Sequence, residues 1–117
     1  MEDSSKVYNS LIQIATELQR FEKVFSKAIS KLDFDEQKKY MSQFNWFSKR
    51  VVKALEQVGL KCISVENQVY DPGMAVTPLN LDDFESSDLL VVEQMIEPII
   101  MRDDNVVKTG TVVLRRA

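Results

Sequence analysis

The chain has 117 residues, of which 44% are apolar and 28% charged, as in an ordinary soluble globular protein, and its formal net charge of −3 gives no reason to expect nucleic acid as a partner. No apolar run approaches the roughly 20 residues that cross a bilayer, so we expect no membrane partner either. The absence of histidine removes the commonest general base and metal ligand, so we predict a protein that is not an enzyme and holds no cofactor and no metal.

The first predicted helix begins near Val7. Its apolar residues advance by four and three positions, with a mean period of about 3.5, which is typical of coiled coils and helix bundles. This seam contains Val7, Leu11, Ile14, Leu18, Phe21, Phe25, Ala28 and Leu32, and a second stripe beside it contains Tyr8, Ile12, Ala15, Val24 and Ile29. A helix with two adjoining apolar stripes must contact more than one neighbour, and Ser4 or Ser5 is its expected N-cap.

A second helix is predicted after the break at Asp33, which is followed three residues later by Glu36 in a variant of the capping box. Its seam contains Tyr40, Phe44, Phe47, Val51, Ala54 and Val58, broadened by Met41, Trp46, Val52 and Leu55. Gly59 is expected to close the helix in the left-handed conformation, with Leu60 folding back onto the last turn. Two helices joined by a short turn predict an antiparallel hairpin over residues 1–60.

Eight of the ten aromatic residues lie in this hairpin. If they stayed exposed, the apolar patch would be larger than monomeric proteins usually carry. Either the second half of the chain covers the patch, or a second copy packs against it to form a four-helix bundle in a homodimer. We favour the homodimer. Its predicted interface consists of Leu11, Ile14, Leu18, Phe21, Phe25, Phe44, Phe47 and Val51.

After Gly59 the pattern changes to short alternating runs, which predict a small β-rich head over residues 61–117. Strands are expected at 61–65, 89–96, 99–101, 106–107 and 111–114, and 74–77 is a short apolar run before Pro78. Asp71-Pro72-Gly73 predicts a turn, Pro78 a strand end or sheet edge, and Pro98 a bulge or edge position. The acidic segment 80–88 lacks the spacing of a calcium loop and is expected to be a solvated loop. Cys62 cannot form an internal disulfide, and with the polar N-terminus it favours a reducing, cytoplasmic setting.

The order of these parts resembles the core of GrpE, the nucleotide exchange factor of DnaK-class chaperones. The resemblance runs from about Val7 to Leu114 and is most specific where the second helix enters the head. It rests on Val52-Lys53-Ala54-Leu55-Glu56-Gln57-Val58-Gly59-Leu60-Lys61-Cys62-Ile63, Tyr70-Asp71-Pro72, Met74-Ala75-Val76 and Val106-Val107-Lys108-Thr109-Gly110-Thr111-Val112-Val113. The chain departs from the family in three places. A histidine and a glutamate are missing before Ala75, and residues 97–100 are Glu-Pro-Ile-Ile where the family usually has Gln-Lys-Gly-Tyr. The long N-terminal stalk helix of the family is also absent.

The resemblance implies an α+β fold, a homodimer, and a head that opens the nucleotide cleft of a DnaK-class ATPase to release ADP. The implied partner contacts are Met74, Ala75, Val76, Ile96, Pro98, Ile99, Ile100 and Lys108. The departures leave a second interpretation open, in which the chain is a non-catalytic dimeric adaptor or structural protein that keeps the fold without the exchange activity.

Overall fold

The computed structural model describes the backbone of residues 2–117 and the side chains of residues 4–117. Two helices are followed by a small, sheet-rich C-terminal part, which agrees with the predicted α+β class. The elements are α1 (Glu2–Ile29), α2 (Phe34–Glu56), β1 (Leu60–Ile63), β2 (Val76–Pro78), a 3-10 helix (Leu81–Asp83), β3 (Leu90–Glu97), β4 (Ile99–Arg102), β5 (Asn105–Lys108) and β6 (Gly110–Arg116). The chain divides into two compact units, residues up to Lys61, called the hairpin, and residues from Cys62 onward, called the head.

The start of α2 is capped as predicted. Asp33 has an extended backbone, and its Oδ1 accepts a hydrogen bond of 2.9 Å from the backbone N–H of Glu36. The N-cap predicted for α1 is wrong, because Ser4 and Ser5 both lie inside the helix. In a helix interior, a serine costs only roughly a few tenths of a kcal/mol more than an average residue. Its preference for the N-cap position therefore did not determine where α1 begins.

The two helices run antiparallel. Near one end of the hairpin the Tyr8 hydroxyl donates to the carbonyl oxygen of Val58 at 3.4 Å, and near the other the Gln37 amide donates to the carbonyl oxygen of Ser30 at 3.1 Å. The first helix ends at Ile29, so Leu32, predicted in its seam, lies in the connecting turn. A shorter α1 leaves enough chain for this reversal of direction.

The exit from α2 shows the expected left-handed glycine. Gly59 has φ 82°, and its N–H donates to the carbonyl oxygen of Glu56 at 3.0 Å. The helix itself ends at Glu56 with Gln57 as its C-cap, so the glycine lies in the turn that follows. A left-handed residue here directs the chain into β1, which starts at the next residue.

The strands form two three-stranded sheets, with strand orders β1-β4-β5 and β2-β6-β3. The last strand, β6, pairs parallel with β2 and antiparallel with β3. Strand β2 therefore lies at an edge and ends at Pro78, as predicted for a residue without a backbone N–H. The core of the head is formed by Leu90, Val92, Met95, Ile99, Val112 and Leu114.

Several strand limits differ from the predicted ones. The strand expected at 61–65 is Leu60–Ile63, and Val69, outside the predicted strands, makes a single bridge to Val91. The hairpin of β4 and β5 is confirmed, with Asp103 at φ 55° in its turn. Pro98 lies between β3 and β4, next to a register shift of β3 against β6, in keeping with its missing donor.

The acidic segment 80–88 is mostly exposed, as expected of a solvated loop, and it is also anchored at both ends. The Asn80 side-chain amide donates to the carbonyl oxygen of Leu114 and accepts from its N–H, both at 2.9 Å. The Asp88 carboxylate accepts from the N–H of Glu85 at 2.9 Å and from Arg116 Nε at 3.2 Å. The Glu85 N–H lowers the pKa of Asp88, and Arg116 adds to this effect. Composition alone did not reveal these long-range bonds to β6.

Candidate interaction surface

Four phenylalanine rings join the two helices of the hairpin. The centroid of Phe44 in α2 lies 6.3 Å from that of Phe21 and 5.3 Å from that of Phe25, both in α1. Phe21 and Phe25 are 5.8 Å apart, and Phe47 lies 6.3 Å from Phe44. These separations are in the range preferred by aromatic pairs, so the four rings form one continuous cluster.

Burial divides this cluster into an inner and an outer part. Phe44 is only 6% exposed, and Phe25 is half-buried. Phe21 and Phe47 remain 53% and 51% exposed. Phe44 therefore belongs to the hairpin's own core, whereas Phe21 and Phe47 present about half of their surface to solvent.

Further exposed apolar residues extend the outer rings along both helices. Val7, Ile14 and Phe21 are spaced by seven residues in α1, as are Tyr40 and Phe47 in α2, and every one of them is exposed. Seven residues are almost two helical turns, so each set lies along one side of its helix. We call these five residues the apolar face. The two sets are linked through Phe44, which contacts both Phe21 and Phe47, and exposed apolar surface of this kind is typical of a protein–protein interface.

The predicted dimer residues fall into three classes of exposure. Ile14, Phe21 and Phe47 are exposed, and Phe44 is buried. The others, Leu11, Leu18, Phe25 and Val51, are half-buried between these extremes. Only the exposed and half-buried members offer area to a partner, because Phe44 is already covered within its own chain.

The residues predicted to contact a chaperone are less accessible than the sequence suggested. Pro98 is buried, and Ile99 and Ile100 are 5% and 0% exposed. These three offer almost no side-chain surface to a partner, because they are already covered within their own chain. Met74, Ala75, Val76, Ile96 and Lys108 are half-buried.

Two local contacts further restrict the head surface. Met74, Ala75 and Val76 pack against the core of the head. Lys108 Nζ lies 3.5 Å from Glu97 Oε2, and Glu97 Oε1 also accepts a hydrogen bond from Thr111 at 3.0 Å. The half-buried strip from Met74 to Val76, with Ile96 and Lys108, is what remains of the predicted contact surface.

Sequence reasoning misassigned Trp46. We expected it to broaden the apolar seam of α2, but its side chain is 64% exposed and the Arg50 guanidinium lies 4.9 Å from its ring centroid. The signal was present in the sequence, because Trp46 is followed at helical spacing by Lys49, Arg50 and Lys53, which are unsuited to a core.

Other kinds of site find little support in the part of the chain that the structure describes. Residues 4–117 contain no group of three or more histidine, cysteine, aspartate or glutamate side chains that could hold a metal ion. The half-buried Cys62 has a pKa raised by its burial, which disfavours the reactive thiolate. Neither helix, over its described residues, combines the length and apolarity that a membrane span requires.

Comparison with known proteins returned no match among protein-family models, curated proteins or solved structures.

Proposed function

We propose that this chain is a non-enzymatic co-chaperone of the GrpE type that forms a homodimer through its hairpin and releases ADP from a DnaK-class ATPase. The observation that carries the proposal is the apolar face, a surface that a second copy can cover. The order of a helical hairpin followed by a sheet-rich head supports it, and the single cysteine supports a reducing, cytoplasmic location.

The area of the apolar face is compatible with a dimer. Phe21 and Phe47 are each about half-exposed, which corresponds to about 100 Å² per ring. With Val7, Ile14 and Tyr40, the face offers on the order of 400 Å² per copy, or 800 Å² for two copies. Stable interfaces bury about 1,200 Å² or more, so the half-buried neighbours Leu11, Leu18 and Val51 would have to contribute the remainder.

The exchange step requires no bond chemistry. A protein that binds the open form of a nucleotide cleft better than the closed form shifts the chaperone toward the open form and weakens its hold on ADP. A tenfold loss of nucleotide affinity needs only about 1.4 kcal/mol of differential binding. We assign this contact to the accessible residues of the predicted set, Met74, Ala75, Val76, Ile96 and Lys108.

A second candidate function is a dimeric adaptor that keeps the fold without exchange activity. The specific observation in its favour is the burial of Pro98, Ile99 and Ile100, which removes three residues from the predicted contact. The ion pair of Lys108 with Glu97 within the head points the same way. In this alternative the hairpin still forms the dimer, but the head engages a different protein.

The dimer is tested by light scattering at micromolar concentration. We expect twice the chain mass for the wild type and a single-chain mass for Phe47→Asp, since a charge in the apolar face opposes burial. Phe34→Asp is the matched control, because Phe34 is 76% exposed and lies outside the face, so this variant should stay dimeric. A wild type that is monomeric throughout would remove the four-helix bundle.

Exchange activity is tested by the release of fluorescent ADP from a DnaK-class chaperone. The wild type should accelerate release, and Val76→Asp should not. Val106→Asp, at a site 45% exposed in β5, is the control and should retain the acceleration. Because Val76 packs against the core, Lys108→Ala provides a second test, which removes the cation without placing a second carboxylate beside Glu97. If the wild type has no effect on the cognate chaperone, the adaptor is the remaining candidate.

A further inference from the structure

One side of α2 carries an excess of positive charge. Residues 37–55 contain five cations and no aspartate or glutamate. The cations are Lys38, Lys39, Lys49, Arg50 and Lys53, all of them exposed. Among the described residues, no carboxylate lies within ion-pair distance of these five side chains.

Trp46 lies in the middle of this charged surface. One shallow groove beside its ring is lined by Lys38, Met41, Ser42, Asn45 and Lys49, and another by Ser48, Lys49, Arg50, Val52, Lys53 and Glu56. We call Trp46 with Lys49, Arg50 and Lys53 the basic stripe. The stacking of Arg50 on Trp46 at 4.9 Å orders the centre of the stripe before any partner arrives.

The basic stripe and the apolar face adjoin on α2, because Trp46 and Phe47 line one shallow groove together with Ser42 and Gln43. Trp46 and Phe47 nevertheless point about 100° apart around the helix. The two grooves that the cations line do not include Phe47. The basic stripe repels the basic stripe of a second copy, so its occupant carries acidic groups.

We propose that the basic stripe docks an acidic segment of a partner protein that places an apolar side chain on Trp46. Tryptophan and arginine are the residues most enriched at binding hot spots, and surrounding lysines accelerate and orient the encounter with carboxylates. From Trp46 to Lys53 the helix rises about 10 Å, the length of roughly three residues of extended chain. This interaction is independent of exchange activity and of the dimer.

Two other anionic partners fit the observations less well. A membrane-surface helix inserts a broad apolar side, and in α2 the exposed apolar residues Tyr40 and Phe47 lie outside the basic stripe. A nucleic acid is a long polyanion, and residues 61–117 contain ten acidic and five basic residues, which would repel it. A short acidic segment confines its charge to the stripe and avoids this repulsion.

The test uses the fluorescence of Trp46, the only tryptophan in the chain. The probe is an eight-residue peptide of alternating glutamate and leucine, and the control peptide has glutamine in place of glutamate. We expect the glutamate peptide to shift the emission to shorter wavelength in a saturable way, and the glutamine peptide to have little effect. Raising the salt from about 50 to 500 mM should weaken binding at least fivefold, because exposed charges are screened.

Charge-reversal variants locate the site on the surface. Lys49→Glu combined with Lys53→Glu should weaken peptide binding at least tenfold. The matched control, Lys27→Glu with Lys31→Glu, makes the same change in net charge at exposed positions outside α2 and should bind nearly as the wild type does. Thermal melting of both pairs verifies that the hairpin is intact. If the two pairs weakened peptide binding equally, the proposal would be overturned, because the effect would then come from net charge and not from the position of the lysines.

Competing occupants give distinct outcomes. The emission of Trp46 is also measured with vesicles of anionic phospholipid and with a single-stranded oligonucleotide. If either shifts the emission at a lower concentration than the glutamate peptide does, the stripe is reassigned to that partner. A shift that depends on protein concentration alone would assign it to a second copy of the chain. Each of these results overturns the acidic-segment proposal.

Discussion

Replacing Phe44, Phe47 and Phe34 by alanine, one at a time, is expected to destabilise the hairpin in proportion to the area that each ring buries. Their exposures are 6%, 51% and 76%. A phenylalanine offers about 200 Å², so the three rings bury about 190, 100 and 50 Å². At roughly 25 cal/mol per Å², the free energy of unfolding should fall by at most about 5, 2.5 and 1 kcal/mol in the Phe44, Phe47 and Phe34 variants, respectively.

The assay is urea denaturation followed by the fluorescence of Trp46 and by the helical circular dichroism signal. Trp46 lies in α2, so its fluorescence reports on the hairpin separately from the head. The measurement is made first at low protein concentration, where a dimer would dissociate. The loss of unfolding free energy should then be largest for the Phe44 variant, smaller for Phe47 and smallest for Phe34. The loss for Phe44→Ala should agree with the value of about 3–5 kcal/mol that is typical when a core phenylalanine is replaced by alanine.

Repeating the series at high protein concentration separates internal packing from dimer contact. If a second copy covers the apolar face, the cost of Phe47→Ala rises with concentration while that of Phe34→Ala does not. The reasoning would be refuted by equal costs for the three variants, or by a Phe44→Ala variant as stable as Phe34→Ala. Either result would mean that Phe44 is not the inner member of the cluster.

Three further predictions concern single contacts. Asp33→Ala should cost about 1 kcal/mol of hairpin stability, measured by urea denaturation, because α2 loses its N-cap, whereas Asp33→Asn should cost little. Gly110→Ala should lower the melting temperature of the head, since the added methyl group would lie 3.0 Å from the backbone carbonyl oxygen of Glu97. Gly73→Ala is the control. Its added methyl group would have its nearest neighbour at 3.5 Å, so this variant should melt nearly as the wild type does. The Glu85 N–H, and to a smaller degree Arg116, lower the pKa of Asp88 in the folded state. The stability that these contacts contribute is therefore present above the ordinary aspartate pKa of about 4 and is lost as the pH falls through the lower folded pKa. Asp88→Asn should remove this part of the pH dependence of unfolding, and an unchanged acid transition would contradict it.

The sequence predicted the local structure of the hairpin well because its signals act over a few residues. An apolar period near that of the helix, the carboxylate of Asp33 and the missing Cβ of Gly59 each determine backbone geometry within one or two turns. The same reasoning anticipated the edge position of Pro78, because a residue without an N–H cannot sit in the middle of a sheet.

Strand limits and the segment 80–88 were harder to predict because their bonds are made over long separations in sequence. The amide of Asn80 bonds both backbone groups of Leu114, which is 34 residues away. The parallel pairing of β2 with β6 likewise joins segments that no local pattern connects. Composition identified the segment as acidic, which is correct, but could not show that it is anchored.

By itself, the amino-acid sequence determined the two helices, their turn, and the change to β-structure near residue 60, since these follow from periodicity and short-range capping. The tertiary structure alone decided which side chains of one seam are covered. Phe44 and Phe47 follow the same pattern in the sequence, yet one is buried against α1 and the other is half-exposed. The reason is geometric: periodicity assigns a residue to a side of its helix, whereas burial depends on the distance to the neighbouring element that packs there.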